Sequence, residues 1–217
     1  MMDPNLILAL LIAYFLGSIP FAQIIAKWVK GTDLHKVGSR NIGARNLTKN
    51  VGLGWGILGL LLDAAKGAAA MWVAVTLGIR FPAYLLAGLA AVAGHNWPVW
   101  LRFRGGKGLA TAFGTFVWLA WPEALISFAL WLVFMQITRN VLIASIAGFS
   151  TMFFLLTLRG QSVEISFYVF IVVGLVILAA LPDMWQTMRT PGGVSDYFSN
   201  PEGAYEKEAR KKKRSSR

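Results

Sequence analysis

Apolar residues run in long blocks along most of the chain, and polar residues are confined to the gaps between them. The blocks lie near 5–27, 53–78, 81–100, 107–121, 123–138, 141–158 and 163–181. Several approach the ~20 residues that an α-helix needs to cross a bilayer. They do not alternate polar and apolar side chains, as barrel strands do. In lipid the backbone must satisfy its own polar groups, and only helices or closed barrels do so. The pattern predicts an all-α polytopic membrane protein with about seven transmembrane helices. The blocks 107–121, 123–138 and 141–158 are short for a straight ~30 Å crossing, so they are partly re-entrant or are helped by interfacial Trp118, Trp121 and Trp131.

Composition agrees with that pattern. Hydrophobic residues make up 56% of the chain and charged residues 14%, which is not the balance of a soluble domain. The first block is too long for a cleaved signal sequence and has no basic segment before it, so it is expected to stay as a span. The chain has no cysteine, which excludes disulfides, thiolate catalysis and thiolate metal sites.

The net charge of +11 fixes an expected orientation. Lys27, Lys30, Lys36, Arg40, Arg45 and Lys49 follow the first block, Arg102, Arg104 and Lys107 follow the third, and Arg139 follows the fifth. The alternate loops carry only Arg80 and Arg159. Basic loops mark the cytoplasmic side, so the N-terminus is expected outside and the C-terminus inside. The charge is thus read as topology, and no nucleic-acid partner is expected. Two regions follow: a membrane-embedded domain over 1–188, and a polybasic tail over 189–217 ending KEARKKKRSSR. The tail has too few apolar residues to fold alone and suits anionic lipid headgroups.

Two loops on the basic side carry candidate chemistry. Residues 37–50 read VGSRNIGARNLTKN, where glycines, Ser39, Asn41, Asn46, Arg45 and Lys49 combine backbone freedom, neutral donors and positive charge. Residues 94–108 read GHNWPVWLRFRGGKG, with Gly105, Gly106 and Gly108 around Lys107. A helix is expected to start at Leu109, adding the donors of a helix N-terminus. This is not a nucleotide-binding GxxxxGK[ST] loop. Both loops suit a phosphate or an acyl phosphate. His95 can contact a ligand or carry a proton, and no carboxylate follows it at HxxxxD spacing. Asp63 and Lys66 stand three apart within an apolar block, where charges pair or face a cavity. They form either a self-satisfied pair or the polar floor of a site. Arg139 stands ready for a phosphate or a headgroup. No metal constellation and no dinucleotide fingerprint occur, so neither metal nor cofactor is expected.

These residues resemble a known family. Gly17-Ser18-Ile19-Pro20, Gly38-Ser39 through Asn46, Asp63-Ala64-Ala65-Lys66-Gly67 and GHNWPVWLRFRGGKGLATAFG are similar to the bacterial acyl-phosphate:glycerol-3-phosphate acyltransferases, the PlsY family. The resemblance runs in order from residue 5 to about 150. It implies seven membrane helices in the bacterial cytoplasmic membrane and three cytoplasmic signature segments. It implies transfer of a fatty acyl group from acyl phosphate to the 1-hydroxyl of glycerol 3-phosphate, giving lysophosphatidic acid for phospholipid synthesis. Ser39, Asn41 and Asn46 match the first segment. His95, Gly105, Gly106, Lys107 and Gly108 match the second, and Arg139 and Ser145 the third. Ser39, Lys107 and His95 are the expected catalytic residues.

The chain also departs from the family pattern. Arg40, Arg45 and Lys49 stand where the family usually has Gly, Thr and Arg, and Leu142 stands where it has serine. The usual Arg-His-Arg-rich end of the last helix is replaced by Ala-Ala-Leu-Pro-Asp-Met-Trp over 179–185. These departures leave two alternatives to the acyltransferase. One is a relative with a changed acceptor or donor, and the other is a non-catalytic phospholipid-binding or transport protein.

Overall fold

The computed structural model describes residues 3–188, so the expected tail over 189–217 lies outside the described residues. Its elements are α1 (Pro4–Gly17), α2 (Phe21–Lys30), α3 (Ala44–Asn50), α4 (Leu53–Thr76), α5 (Leu85–Asn96), α6 (Leu109–Thr138), α7 (Val141–Leu158) and α8 (Val163–Met188), with a 3₁₀ turn at Val99–Leu101. No strand occurs among the described residues. The first expected block is a broken helix, α1 and α2. Pro20 lies at the break and caps α2, because its ring supplies no N–H to continue a ladder. The expected block 81–100 holds a shorter helix than its apolar length suggested. Helix α5 rises only ~18 Å over its length.

The expected boundary between 107–121 and 123–138 is a fold-back within α6. Ala120 leaves helical geometry at φ −157° and ψ 73°, just before Pro122. On a straight helix Phe113 and Phe128 would lie ~22 Å apart. Their rings sit 4.7 Å apart, so the arms 109–119 and 121–138 run side by side. At the turn, Arg159 after α7 donates to the buried Glu123 carboxylate at 2.7 Å. The seven expected segments thus correspond to α1–α2, α4, α5, the two arms of α6, α7 and α8. Among the described residues, five stretches have the length and hydropathy to cross a bilayer: 4–30, 53–76, 109–138, 141–158 and 163–185.

Small residues set the helix packing. Ala9, Ala13 and Gly17 recur every fourth position and form one buried face of α1. A Cβ at Gly17 would strike the Ala91 carbonyl of α5, and one at Gly94 would strike the Tyr14 carbonyl of α1. Helices α4 and α6 meet by the same device, with Gly67 against the Thr111 carbonyl and Gly114 against the Ala64 carbonyl. Lipid offers no hydrophobic drive for helix association, so close backbone approach and dispersion take its place. Longer side chains fill a separate core of Met71, Val92, Phe116, Met152, Leu156 and Tyr168 between α4, α5, α6, α7 and α8. The packing brings both glycine-bearing loops and the α6–α7 junction to one end of the bundle, with Glu123 and Arg159 at the turn end of α6.

Candidate active site

The 37–50 loop is organised around Asn46. This side chain is buried on α3, and its amide donates to the carbonyls of Leu34, Val37 and Asn41 at 3.1, 3.2 and 3.0 Å. Asn50 in turn donates to the Asn46 Oδ1 at 2.8 Å. Gly38 and Arg40 turn the chain with left-handed φ of 53° and 59°. A side chain at Gly38 would press on the Asn46 and Asn50 amides, which is why glycine sits there. Upstream, the Asp33 carboxylate accepts from Gln23 Nε2 at 2.9 Å and from His35 N at 3.1 Å. Burial favours its protonated form, but those bonds and the nearby His35 and Lys36 outweigh it and hold the carboxyl below its usual 3.8. The loop is therefore braced from within, and Ser39, Asn41 and Arg45 are left to face a cleft.

The 94–108 loop folds back on the end of α5. Gly105 N donates to the Asn96 carbonyl at 3.0 Å, and Gly106 N donates to the His95 carbonyl at 3.1 Å. These amides are committed to backbone partners, which revises the expectation that they cradle phosphate. Glycine is needed because a Cβ at Gly105 would strike the His95 carbonyl and one at Gly106 the His95 ring. What the pair does is fix the Cα of Lys107 against α5. Gly108 then starts α6 with a left-handed φ of 76° and no side-chain cap. Leu109 and Ala110, in the first turn of α6, line the cleft. First-turn N–H groups lack intrahelical acceptors and favour an anion.

Asp63 and Lys66 pair as their spacing predicted. Lys66 Nζ lies 2.8 Å from Asp63 Oδ1 and donates to the Ile19 carbonyl at 2.8 Å, with both charged side chains 2% exposed. Asp63 also lies 3.6 Å from His95 Nδ1 and lines the cleft, so the pair stands at the cleft wall rather than apart from it. The Asp63 carboxylate stands beside the His95 imidazole, and the His95 carbonyl supports the Lys107 loop.

The α6–α7 junction forms a further wall. Asn140 caps α7, its Oδ1 accepting from Leu142 N at 2.9 Å and Ile143 N at 3.3 Å. Arg139 turns with φ 53°, and its carbonyl accepts from Arg45 Nη2 at 3.4 Å. Burial lowers the Arg45 pKa below its ordinary value. Ser145 Oγ accepts from Trp131 Nε1 at 3.3 Å. The last wall comes from Val176, Ile177 and Ala180 of α8. One turn beyond Ala180, Asp183 Oδ2 lies 3.0 Å from Lys107 Nζ.

The resulting cleft has a volume of about 190 Å³. It brings together Ser39, Asn41, Arg45, Asn46, Asp63, His95, Lys107, Gly108 and Ser145 of the expected site residues. Lys49 is exposed on α3, Arg139 is exposed at the helix junction, and Lys66, Gly105 and Gly106 stand behind the lining. Leu60, Leu109, Ala110, Trp131 and Ser145 are shared with a second, apolar cavity of about 80 Å³. That cavity lies between the folded arms of α6, α4 and α7, and its walls include Phe113, Phe116, Phe128, Phe149 and Met152. Polar and apolar spaces thus adjoin, as an amphiphile requires. Sequence reasoning missed Asn140 and Asp183 as site neighbours. An asparagine just before an apolar helix signals an N-cap, which would have found the first. The second depends on a tertiary contact.

Comparison with known proteins extends these observations. A family model described as "Glycerol-3-phosphate acyltransferase" matches residues 7–188. The glycerol-3-phosphate acyltransferase of Parasynechococcus marenigrum (strain WH8102) is 41% identical over 180 residues, covering 83% of this chain and 82% of that protein. A crystal structure of PlsY, an integral membrane glycerol 3-phosphate acyltransferase, in its glycerol 3-phosphate form superposes with TM-score 0.76 and 37% identity. The match covers 83% of this chain and 90% of that one. The lysophosphatidic acid form superposes with TM-score 0.74 and 34% identity over the same shares.

Proposed function

Because the chain belongs to the glycerol-3-phosphate acyltransferase family, we propose that its cleft transfers a fatty acyl group from acyl phosphate to the 1-hydroxyl of glycerol 3-phosphate, giving lysophosphatidic acid. The observation that carries this reading is the junction of two spaces. A cleft bearing Arg45, Lys107 and the α6 N-terminus adjoins an apolar slot lined by phenylalanines. The first suits phosphate, and the second suits the start of a fatty chain.

In this scheme the glycerol hydroxyl oxygen attacks the acyl carbon. The bond from that carbon to the bridging phosphate oxygen breaks, and phosphate leaves with the electron pair. The departing phosphate takes the hydroxyl proton. An acyl phosphate is already activated, so the site's work is to bring reactants together and stabilise charge. Lys107 and the first-turn N–H groups of α6 meet the developing negative charge. Ser39 and His95 donate to or orient the reacting groups, while Asn41, Arg45, Gly108 and Ser145 hold the phosphates, with Lys49 and Arg139 adding positive potential nearby. The basic loops and the basic sequence beyond residue 188 support a cytoplasmic position for this face, beside anionic headgroups of a bacterial cytoplasmic membrane.

The test is turnover by purified protein in lipid, with acyl phosphate and acyl-CoA as competing donors. Acyl phosphate alone should support lysophosphatidate formation, and Lys107→Ala should abolish it. Robust turnover by that variant, or equal use of acyl-CoA, sinks the reading. Leu142 in the cleft wall and Asp183 on Lys107 also favour a second reading, a changed acceptor. A panel of phosphorylated polyols separates the two.

A further inference from the structure

We propose that Asp183 is a positioning residue that occupies Lys107 in place of substrate phosphate and so sets the anion affinity of the cleft. The proposal rests on the phosphate-transfer reading above, and its experiment separates the two.

Three observations place Asp183 in this role. Val176, Ile177 and Ala180 of α8 line the cleft. Asp183 follows three residues after Ala180 and seven after Val176, on the same helical face and one turn nearer the cleft rim. Its carboxylate lies 3.0 Å from Lys107 Nζ, with the two side chains 31% and 23% exposed. A carboxylate oxygen on an ammonium imitates an anionic phosphate oxygen on the same cation. The carboxylate therefore fills the position that a phosphate needs.

The surrounding architecture makes the pair exchangeable. The Cα of Lys107 is held by the backbone bonds of Gly105 and Gly106, so only its side chain can move. Helix α8 is anchored behind the pair, where Asn96 Nδ2 donates to the Leu175 carbonyl at 3.0 Å. Beyond that anchor, Pro182 withholds the N–H that would bond the Leu178 carbonyl, which loosens the turn carrying Asp183. Lys107 is thus fixed at its base and Asp183 rides on a weakened turn.

Charge balance gives the direction of the effect. A phosphate monoester brings about −1.5 to −2 charge at neutral pH. While Asp183 sits on Lys107, an incoming phosphate meets both a neutralised cation and a repelling carboxylate. It must displace Asp183 to gain its ion pair. When product leaves, Asp183 returns to Lys107 and helps expel it. The carboxylate thus weakens binding of every phosphate-bearing ligand and quickens release.

Asp183→Asn removes the charge and keeps the shape. In a partly exposed pair the effect is about two- to five-fold, the range of such pairs in double-mutant cycles. Calorimetric titration with glycerol 3-phosphate, without acyl donor, should show tighter binding by that factor. Inorganic phosphate should inhibit turnover more strongly by a similar factor. The KM for glycerol 3-phosphate should fall while kcat holds or falls with slower release. Asp183→Glu keeps the carboxylate and should bind like the original protein. Unchanged or weaker binding in Asp183→Asn overturns the proposal, as does equal tightening in Asp183→Glu. A merely structural role would loosen binding in Asp183→Asn. If the unaltered protein binds glycerol 3-phosphate but the variant does not tighten, only the Asp183 proposal fails. If the unaltered protein neither binds nor acylates it, the functional reading fails.

Discussion

Replacing Asp63 with asparagine gives the most direct measure of how the buried Asp63–Lys66 pair is held. The substitution preserves shape and removes one charge from a pair whose side chains are 2% exposed. It leaves the Lys66 ammonium without its carboxylate in a buried setting. Breaking a buried pair in this way costs about 3–5 kcal/mol, because the remaining charge stays desolvated. For a chain of this size each kcal/mol shifts the midpoint by about 2–4 °C. Asp63→Asn should therefore unfold roughly 6–20 °C lower in a thermal scan in detergent. It should also lose turnover, since Asp63 stands 3.6 Å from His95 Nδ1. The double variant Asp63→Asn, Lys66→Met removes both charges and should recover most of the loss. It should stop short of full recovery by about 1 kcal/mol, for the Lys66 bond to the Ile19 carbonyl that it gives up. A single variant melting within 2 °C of the unaltered protein, roughly the smallest shift expected for one kcal/mol, would refute the reasoning. So would a double variant no more stable than the single one.

Other expectations follow from the loop geometry. Gly106→Ala places a methyl against the His95 ring, so the loop must lift or the ring must swing. The cost is about 1–3 kcal/mol of overpacking, and kcat should drop by roughly ten-fold or more as Lys107 shifts; a kcat within two-fold would count against the proposed role of the loop. Asn46→Leu removes the donor that serves the Leu34, Val37 and Asn41 carbonyls. Destabilisation of about 2–4 kcal/mol is expected from the carbonyls left unpaired, read by faster proteolysis within 34–43 in the variant. The depressed pKa of Asp33 makes its contribution to loop order complete above the usual 3.8, and the contribution is lost as pH falls through the lower folded value. Thermal scans from neutral pH to about pH 2 should show that loss, and Asp33→Asn should remove that component of the pH dependence.

Much of the fold was legible because lipid imposes a simple rule on each segment. Apolar blocks had to be helices, and their boundaries near Ala120 and Asn140 fell beside polar or proline-bearing positions, whereas the break at Pro20 lay inside the expected block 5–27. The limits of α5 were not legible, because apolar turn residues beside it look the same as helix. At the site, charge and spacing foretold the Asp63–Lys66 pair, since residues three apart share a helix face. The glycines around Lys107 stood out in the sequence, and in the structure Gly105 and Gly106 make room for the His95 carbonyl and ring and bond backbone carbonyls. From sequence, a glycine that offers its amide to an anion cannot be distinguished from one that makes room for a neighbouring ring. Asn46 poses the same ambiguity between binding a ligand and bracing a loop. The Lys107–Asp183 contact joins residues far apart in the chain, and no local pattern encodes it.

The glycine and alanine seams that join α1 to α5 and α4 to α6 have a consequence for protein engineering. They lie on inward faces, while Leu11, Ile57, Leu61 and Phe170 project outward and are 52%, 48%, 60% and 59% exposed. The instructions for assembling the bundle and those for dissolving it in lipid are therefore carried by different residues. The outward set can be exchanged for polar side chains with the seams left intact. A water-soluble analogue built this way would keep the cleft and free it from detergent.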